Sequence, residues 1–163
     1  MLQEWTRMAS PVGELTLVAS ERALVAILWE NDDPRRVRLD DGVENPAHPV
    51  LTAAVRQLGE YFAGARRVFD LPLDFRGTDF QRQVWAQLLA IPFGETRSYG
   101  EIALALGRPG ASRAVGAANG RNPISIVAPC HRVIGANGAL TGFAGGLAAK
   151  QRLLVLEGLE LAL

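Results

Sequence analysis

The chain is poor in the residues from which most reactive and cross-linked centres are built. Its 163 residues include one cysteine, Cys130, and two histidines, His48 and His131. One sulfur cannot close an internal disulfide, and this Cys/His set is too small for a structural zinc site of the usual kind. No metal site and no cofactor are expected, and any thiol chemistry runs through one atom. Lysine is nearly absent too, with Lys150 alone against sixteen arginines. No apolar run approaches the ~20 residues that span a bilayer, and the residues up to Glu14 carry charges every few positions without the apolar stretch of a secretion signal. The expectation is a cytoplasmic chain that neither crosses nor anchors to a membrane.

What is present suffices for a core. Apolar residues make up 48% and charged ones 21%, with no formal net charge, which excludes a disordered tail or a supercharged nucleic-acid coat. The charge is unevenly spread. Residues 1–76 hold nine basic and twelve acidic side chains, and residues 97–152 hold seven basic ones against the single acid Glu101. Folded as a unit, that basic stretch predicts a positive surface of the kind a polyanion requires.

Residues 1–76 read as a small N-terminal α/β domain. Strand formers at Trp5–Met8, Leu15–Ala19 and Leu24–Trp29, separated by Ser10-Pro11-Val12-Gly13 and by Ser20–Ala23, predict an antiparallel sheet. The segment Asn31–Pro49, with three prolines and Gly42, reads as an exposed loop. Leu51, Ala54, Val55, Leu58 and Phe62 recur at helical spacing, and Val68–Leu73 reads as a last strand. Lone His48, within the irregular segment, is expected to have no catalytic role.

Residues 77–163 read as mainly helical, so the fold class is α+β. Thr78 with Gln81, and Ser98 with Glu101, are capping-box patterns that open two helices, stopped by Pro92 and Gly107. A third helix over Ala111–Asn119 follows Arg108-Pro109-Gly110, giving a helix-turn-helix outline that fits either a DNA reader or an ordinary helical hairpin. Val133-Ile134, Asn137-Gly138 and Leu140 suggest a tight hairpin. The glycine-rich Gly142–Gly146 lacks the context of a phosphate loop and reads as backbone passing close to something. A final helix runs from Leu147 to Glu157 and ends at Gly158.

Pro129-Cys130-His131-Arg132-Val133 is the most informative pentapeptide. A free cysteine is only about 3% thiolate at pH 7, and His131 and Arg132 are cationic candidates for raising that fraction. Taken alone, the dipeptide fits a buried structural cysteine better, since adjacent side chains usually diverge.

The surrounding residues decide between these. From Asn119 through Asn122-Pro123-Ile124 to Pro129-Cys130-His131-Arg132-Val133-Ile134-Gly135, the segment closely resembles the O6-alkylguanine-DNA alkyltransferases, also called methylated-DNA–protein-cysteine methyltransferases, of the bacterial Ogt-like type. The likeness extends over about Thr78–Gly158, through Gly94–Tyr99, Arg113–Gly116, Gly145-Gly146 and Glu157-Gly158. It implies an N-terminal supporting domain over 1–76 and a C-terminal DNA-binding and alkyl-acceptor domain over 77–163 of winged-helix-like form.

The same resemblance implies roles. Cys130 would be the alkyl acceptor, His131 its activator through a bound water, and Glu157 the carboxylate that orients the histidine. Asn122 would tie the recognition-helix turn to the cysteine loop, and Tyr99 would bond the guanine ring and help protonate it as it leaves. Arg113 would enter the duplex as a finger, with Ser112, Ala114, Gly116 and Arg121 beside it on the DNA. Val133, Phe143, Ala144 and Gly145 would line the base pocket. The implied partner is double-stranded DNA containing O6-alkylguanine, with O4-alkylthymine as a second possible lesion, and a monomer is expected.

The chemistry suits these residue types. A saturated carbon must be attacked in line behind its C–O bond, which a soft thiolate does well, and guanine leaves readily only if its ring is protonated. A base inside a duplex offers no such line, so its nucleotide must be rotated out at a cost of a few kcal/mol. A thioether is not hydrolysed at neutral pH, so one turnover per molecule is expected. Two other readings compete: a lesion sensor that binds alkylated DNA without transfer, which lacks a reason for Cys130, and a Cys-His hydrolase, for which only His48 lies outside the motif. Phe143 stands where many members of that family carry tyrosine, and Ala144 where some carry serine, which bears on adduct size.

Overall fold

The computed structural model describes residues 3–159. The chain divides at Arg76–Gly77 into two compact units.

In the first unit, β1 (Gln3–Met8), β2 (Leu15–Ala19) and β3 (Leu24–Leu28) form an antiparallel meander with Trp5 opposite Val18 and Leu17 opposite Ile27. Leu24 to Ile27 are all buried, as an unbroken apolar run in a covered strand demands. Helix α1 (Pro49–Phe62) packs on these strands through Leu51, Ala54, Leu58 and Tyr61, so Tyr61 takes the core position expected of Phe62. His48 caps it: Nδ1 accepts the Val50 N–H at 3.1 Å while Nε2–H donates to the Ser20 carbonyl at 2.9 Å.

Two expectations for this unit need correction. The segment before α1 is more than an exposed loop, because Val37 and Leu39 pack against Val18, Val25 and Ala26. It also supplies β4 (Gly42–Glu44), parallel to β1, making the sheet a mixed one of order β3-β2-β1-β4. A three-residue exposed strand has no period to read, and its partner lies some forty residues away. The strand expected over Val68–Leu73 does not form. Gln57 takes its backbone bonds instead, with Nε2 donating to the Asp70 carbonyl at 2.9 Å and Oε1 accepting the Asp70 N–H at 2.8 Å, and only Leu73 bridges to Leu24.

In the second unit, α2 (Asp79–Leu89) and α3 (Tyr99–Ala105) both begin with complete reciprocal capping boxes, at Thr78/Gln81 and Ser98/Glu101. Helix α4 (Ser112–Gly120) follows as the second arm of the helix-turn-helix. Trp85 fixes α4 on α2 by donating its indole N–H to the Ala118 carbonyl at 2.8 Å. The hairpin expected around Asn137-Gly138 is absent. Val133–Ile134 is strand β6, but its partner is β5 (Arg97–Ser98), in parallel. The Asn137-Gly138 turn closes on Gly135 and Ala139 without a second strand. Helix α5 (Leu147–Leu156) completes the unit, and among the described residues no helix is long and apolar enough to cross a membrane.

Candidate active site

The segment before Cys130 is bent twice. The Val127 N–H reaches the Ser125 carbonyl across Ile126, whose φ is +73°, a γ-turn geometry that a β-branched residue adopts only under strain. The Cys130 N–H then reaches the Ala128 carbonyl across Pro129 at φ −80° and ψ 68°, the inverse γ-turn for which a proline ring is already suited. Asn122 braces the bend from its base, with Nδ2 donating to the Ala128 carbonyl at 2.8 Å and Oδ1 accepting the Ile124 N–H at 3.1 Å. Cys130 therefore opens a short 3-10 turn, Cys130–Arg132, in a fixed pose and buried to 4% exposure. Asn119 in α4 donates to its carbonyl from Nδ2 at 3.4 Å.

His131 is wholly buried, and its Nε2 lies 2.7 Å from Glu157 Oε2. A carboxylate accepts, so Nε2 carries the hydrogen and the Nδ1 lone pair is left over; Nδ1 is buried without a hydrogen-bond partner. Burial holds the imidazole below its ordinary range, against the upward pull of Glu157 and with help from the Arg132 and Lys150 cations. The histidine is thus a neutral base with its acceptor nitrogen unused.

Glu157 is placed by the end of α5. Gly158, at φ +90°, lets the chain reverse so that the Gly158 and Leu159 N–H groups close on Val155 and Leu154, which leaves Glu157 as the C-cap with its side chain inward. Its carboxylate accepts Arg132 Nε at 2.7 Å and Arg132 NH2 at 2.9 Å besides His131, and the Gly94 N–H at 3.3 Å. Gly94 sits at φ +80°, and a Cβ there would lie 3.2 Å from the Glu157 carbonyl.

Tyr99 begins α3, its hydroxyl bonded to Thr141 Oγ1, and its ring faces Gly116 of α4, where a Cβ would come within 3.6 Å. Ser112 is half-buried at the start of α4, while Arg113 and Ala114 project to solvent. Arg121 is exposed at the other end of the helix, about 12 Å along the axis from Arg113 by the rise per residue. Val133 is buried beside the cysteine turn, with Phe143 half-buried. Ala144 is exposed and Gly145 half-buried in the turn that follows. Cys130, His131, Asn122 and Glu157 are therefore one connected cluster, and Arg113, Ala114 and Arg121 belong to an exterior surface.

Two models of protein families match the chain in tandem: the 6-O-methylguanine DNA methyltransferase ribonuclease-like domain over residues 4–75 and the DNA binding domain of the same family over residues 79–159. Together these span nearly the whole sequence. The chain belongs to the 6-O-methylguanine DNA methyltransferase family. A methylated-DNA–protein-cysteine methyltransferase of Mycolicibacterium paratuberculosis is 53% identical over 94% of this chain and 92% of its own length. One from Methanosarcina acetivorans is 51% identical over 91% and 94%. The crystal structure of Mycobacterium tuberculosis OGT in complex with DNA superposes with a TM-score of 0.88 at 50% identity, covering 94% of this chain and 92% of that one.

For this methyltransferase, three features escaped the sequence reading. Arg132 is not aimed at the sulfur; it is buried against Glu157, with NH1 also donating to the Ile91 carbonyl at 2.6 Å. Lys150, the lone lysine, is fully buried and donates to the Val133 carbonyl at 2.6 Å. Burial pushes its ammonium down, and a negative charge on Cys130 would pull it up. Asn119 anchors the Cys130 carbonyl, a role that its place in the motif does not announce. Nothing in the sequence marked these three, since the inward turn of a side chain is set by its surroundings in the fold. The basic surface shrinks accordingly. With Arg132 and Lys150 turned inward and Arg97 paired to Glu95 at 3.2 Å, the exposed cations of that stretch are Arg108, Arg113, Arg121 and Arg152. In the glycine-rich loop a Cβ at Gly142 or Gly146 would meet no protein atom within 4 Å, and the φ of +89° at Gly146 suits a glycine.

Proposed function

We propose that this methyltransferase repairs O6-alkylguanine in double-stranded DNA by moving the alkyl group irreversibly to Cys130. The observation that carries this reading is the buried His131–Glu157 pair next to the single cysteine of the chain, with Nδ1 unpartnered. The Cys130 proton passes to Nδ1, relayed by water, and Lys150 steadies the thiolate. Sulfur attacks the alkyl carbon as its bond to O6 breaks, and the electron pair moves into the purine ring. Tyr99 exchanges its bond to Thr141 for one to the ring and supplies a proton there. His131 then releases the thiol proton to water and Tyr99 regains one from it, so in sum one hydrogen moves from sulfur to guanine and the alkyl group from oxygen to sulfur.

Family membership and the DNA-bound mycobacterial relative support the partner. The Arg113 side chain, exposed on α4, enters the duplex in place of the extruded nucleotide, and Ser112, Ala114, Gly116 and Arg121 face the backbone around it. Val133, Phe143, Ala144 and Gly145 take the base. Residues 1–76 act as support for the second unit, and the protein works as a monomer in the cytoplasm. With one thiol and a product thioether that resists hydrolysis, each molecule acts once.

The test is stoichiometric. Increasing amounts of a duplex containing O6-methylguanine are offered to a fixed amount of protein, and restored guanine is counted by digestion and chromatography. A plateau at one guanine per protein supports the reading, and continued turnover or no restoration rejects it.

A further inference from the structure

Arg132 makes three side-chain hydrogen bonds, and none serves the surface. Nε and NH2 hold both oxygens of Glu157, and NH1 holds the Ile91 carbonyl, while the residue is only 6% exposed. Such a bidentate clamp fixes the plane of the carboxylate and cancels its charge in a site away from water. The cancellation matters because Glu157 also touches His131. An uncompensated carboxylate against a buried imidazole would draw a proton onto it, and the resulting imidazolium has no lone pair to offer at Nδ1.

We infer that Arg132 is a positioning residue for alkyl transfer, acting through Glu157 to keep His131 neutral and its Nδ1 lone pair open to the Cys130 proton. The inference rests on the transfer reading above and deepens it. The charged groups that act on His131 are Glu157 and Lys150 from α5 and its cap and Arg132 from its own turn, with the titratable Cys130 next to it in the chain. Helix α2 also packs on that turn, and its buried residues Val84, Trp85 and Leu88 bring no charge. Arg132 holds both carboxylate oxygens of Glu157. A structural anchor would serve as well at any pH, whereas a charge-balancing group leaves a signature in the pH profile.

The experiment follows His131 directly. The imidazole carbon-bound protons are titrated by NMR in the intact protein, with Cys130 unalkylated, and the rate of methyl transfer is measured across pH on the same samples. Arg132→Lys keeps a cation and should shift the His131 titration by less than half a unit. Arg132→Met should move both that titration and the acid limb of the rate profile to higher pH by about one unit or more, the usual effect of a charge within contact range. Transfer near neutrality then falls about tenfold and recovers to within about twofold at alkaline pH. The double variant Arg132→Met/Glu157→Gln removes both charges and gives a second arm should the single one fail to fold, since loss of a whole buried pair is tolerated better than loss of half. In it His131 should again resist protonation. A rate lowered equally at every pH, or a His131 titration that Arg132→Met leaves unmoved, overturns the inference. Failure of wild-type protein to transfer methyl at all would reject the transfer reading, and the NMR titration would still decide the charge balance.

Discussion

Replacing Glu157 by glutamine changes one atom in size and the whole balance of the site. The Glu157 side chain is fully buried, and its carboxylate accepts from Arg132 twice, from His131 and from the Gly94 amide. An amide offers one oxygen to these donors and turns its NH2 toward the rest. Arg132, itself 6% exposed, is then a buried cation without a counterion, and breaking such a pair by removing one partner costs about 3–5 kcal/mol. Total stabilities are about 5–15 kcal/mol, so Glu157→Gln should remain folded at low temperature with little in reserve. At about 2–4 °C per kcal/mol for a chain of this size, the thermal midpoint should fall by roughly 6–20 °C. Circular dichroism melts of both proteins at pH 7.5 measure this, and a methyl-transfer time course on folded variant at 10 °C should show loss of at least about tenfold in rate. A midpoint lowered by less than about 2 °C would refute the view that this carboxylate is the counter-charge of a desolvated arginine.

Other perturbations probe neighbouring parts of the argument. Because burial holds His131 below its ordinary range, the unfolded chain takes up a proton that the folded one refuses as pH drops below about 6.5, so this contribution to stability is complete above that pH and lost beneath it. Melts should show a midpoint that declines below about pH 6.5, and a decline of equal depth in His131→Asn would remove the histidine as its source. Gly94→Ala places a side chain at φ +80° and 3.2 Å from the Glu157 carbonyl; a loss of about 1–3 kcal/mol in denaturant titrations is expected, together with slower transfer as Glu157 is displaced. Arg113→Ala should weaken transfer from duplex DNA at least about tenfold more than transfer from free O6-benzylguanine, and equal losses on the two would deny the arginine its place in the helix gap.

Local signals were legible in the sequence where the physics is local. Both capping boxes lie within four residues of chain, and Thr78 and Ser98 open helices as their spacing says. The sheet pattern of Leu15–Ala19 and Leu24–Leu28 follows from the runs themselves. What failed was decided at a distance. Strand β4 exists because β1 has a free edge, and the strand expected at Val68–Leu73 is replaced by a glutamine from α1 whose amide imitates a neighbouring strand. Strand β6 pairs with Arg97–Ser98 rather than with the segment after its own turn. The site divides in the same way. Cys130 and His131 stand side by side, and Asn122 braces a bend only a few residues on, so the motif carries them. Glu157 was reached only through resemblance to a family, since nothing in a helix end announces a carboxylate aimed inward. Arg132 and Lys150 were misjudged as surface charge for a related reason: the direction of a long cationic side chain is set by what surrounds it, and each bends inward to a carbonyl or carboxylate.

The most direct test of the account weighs the sulfur. Protein is mixed with one equivalent of duplex carrying O6-methylguanine, digested, and the peptide containing Cys130 is analysed by mass spectrometry. A gain of one methyl group on that peptide and on no other, absent in Cys130→Ser, is the predicted result. Guanine restored with Cys130 unmodified, or methyl found on any other residue, would contradict it.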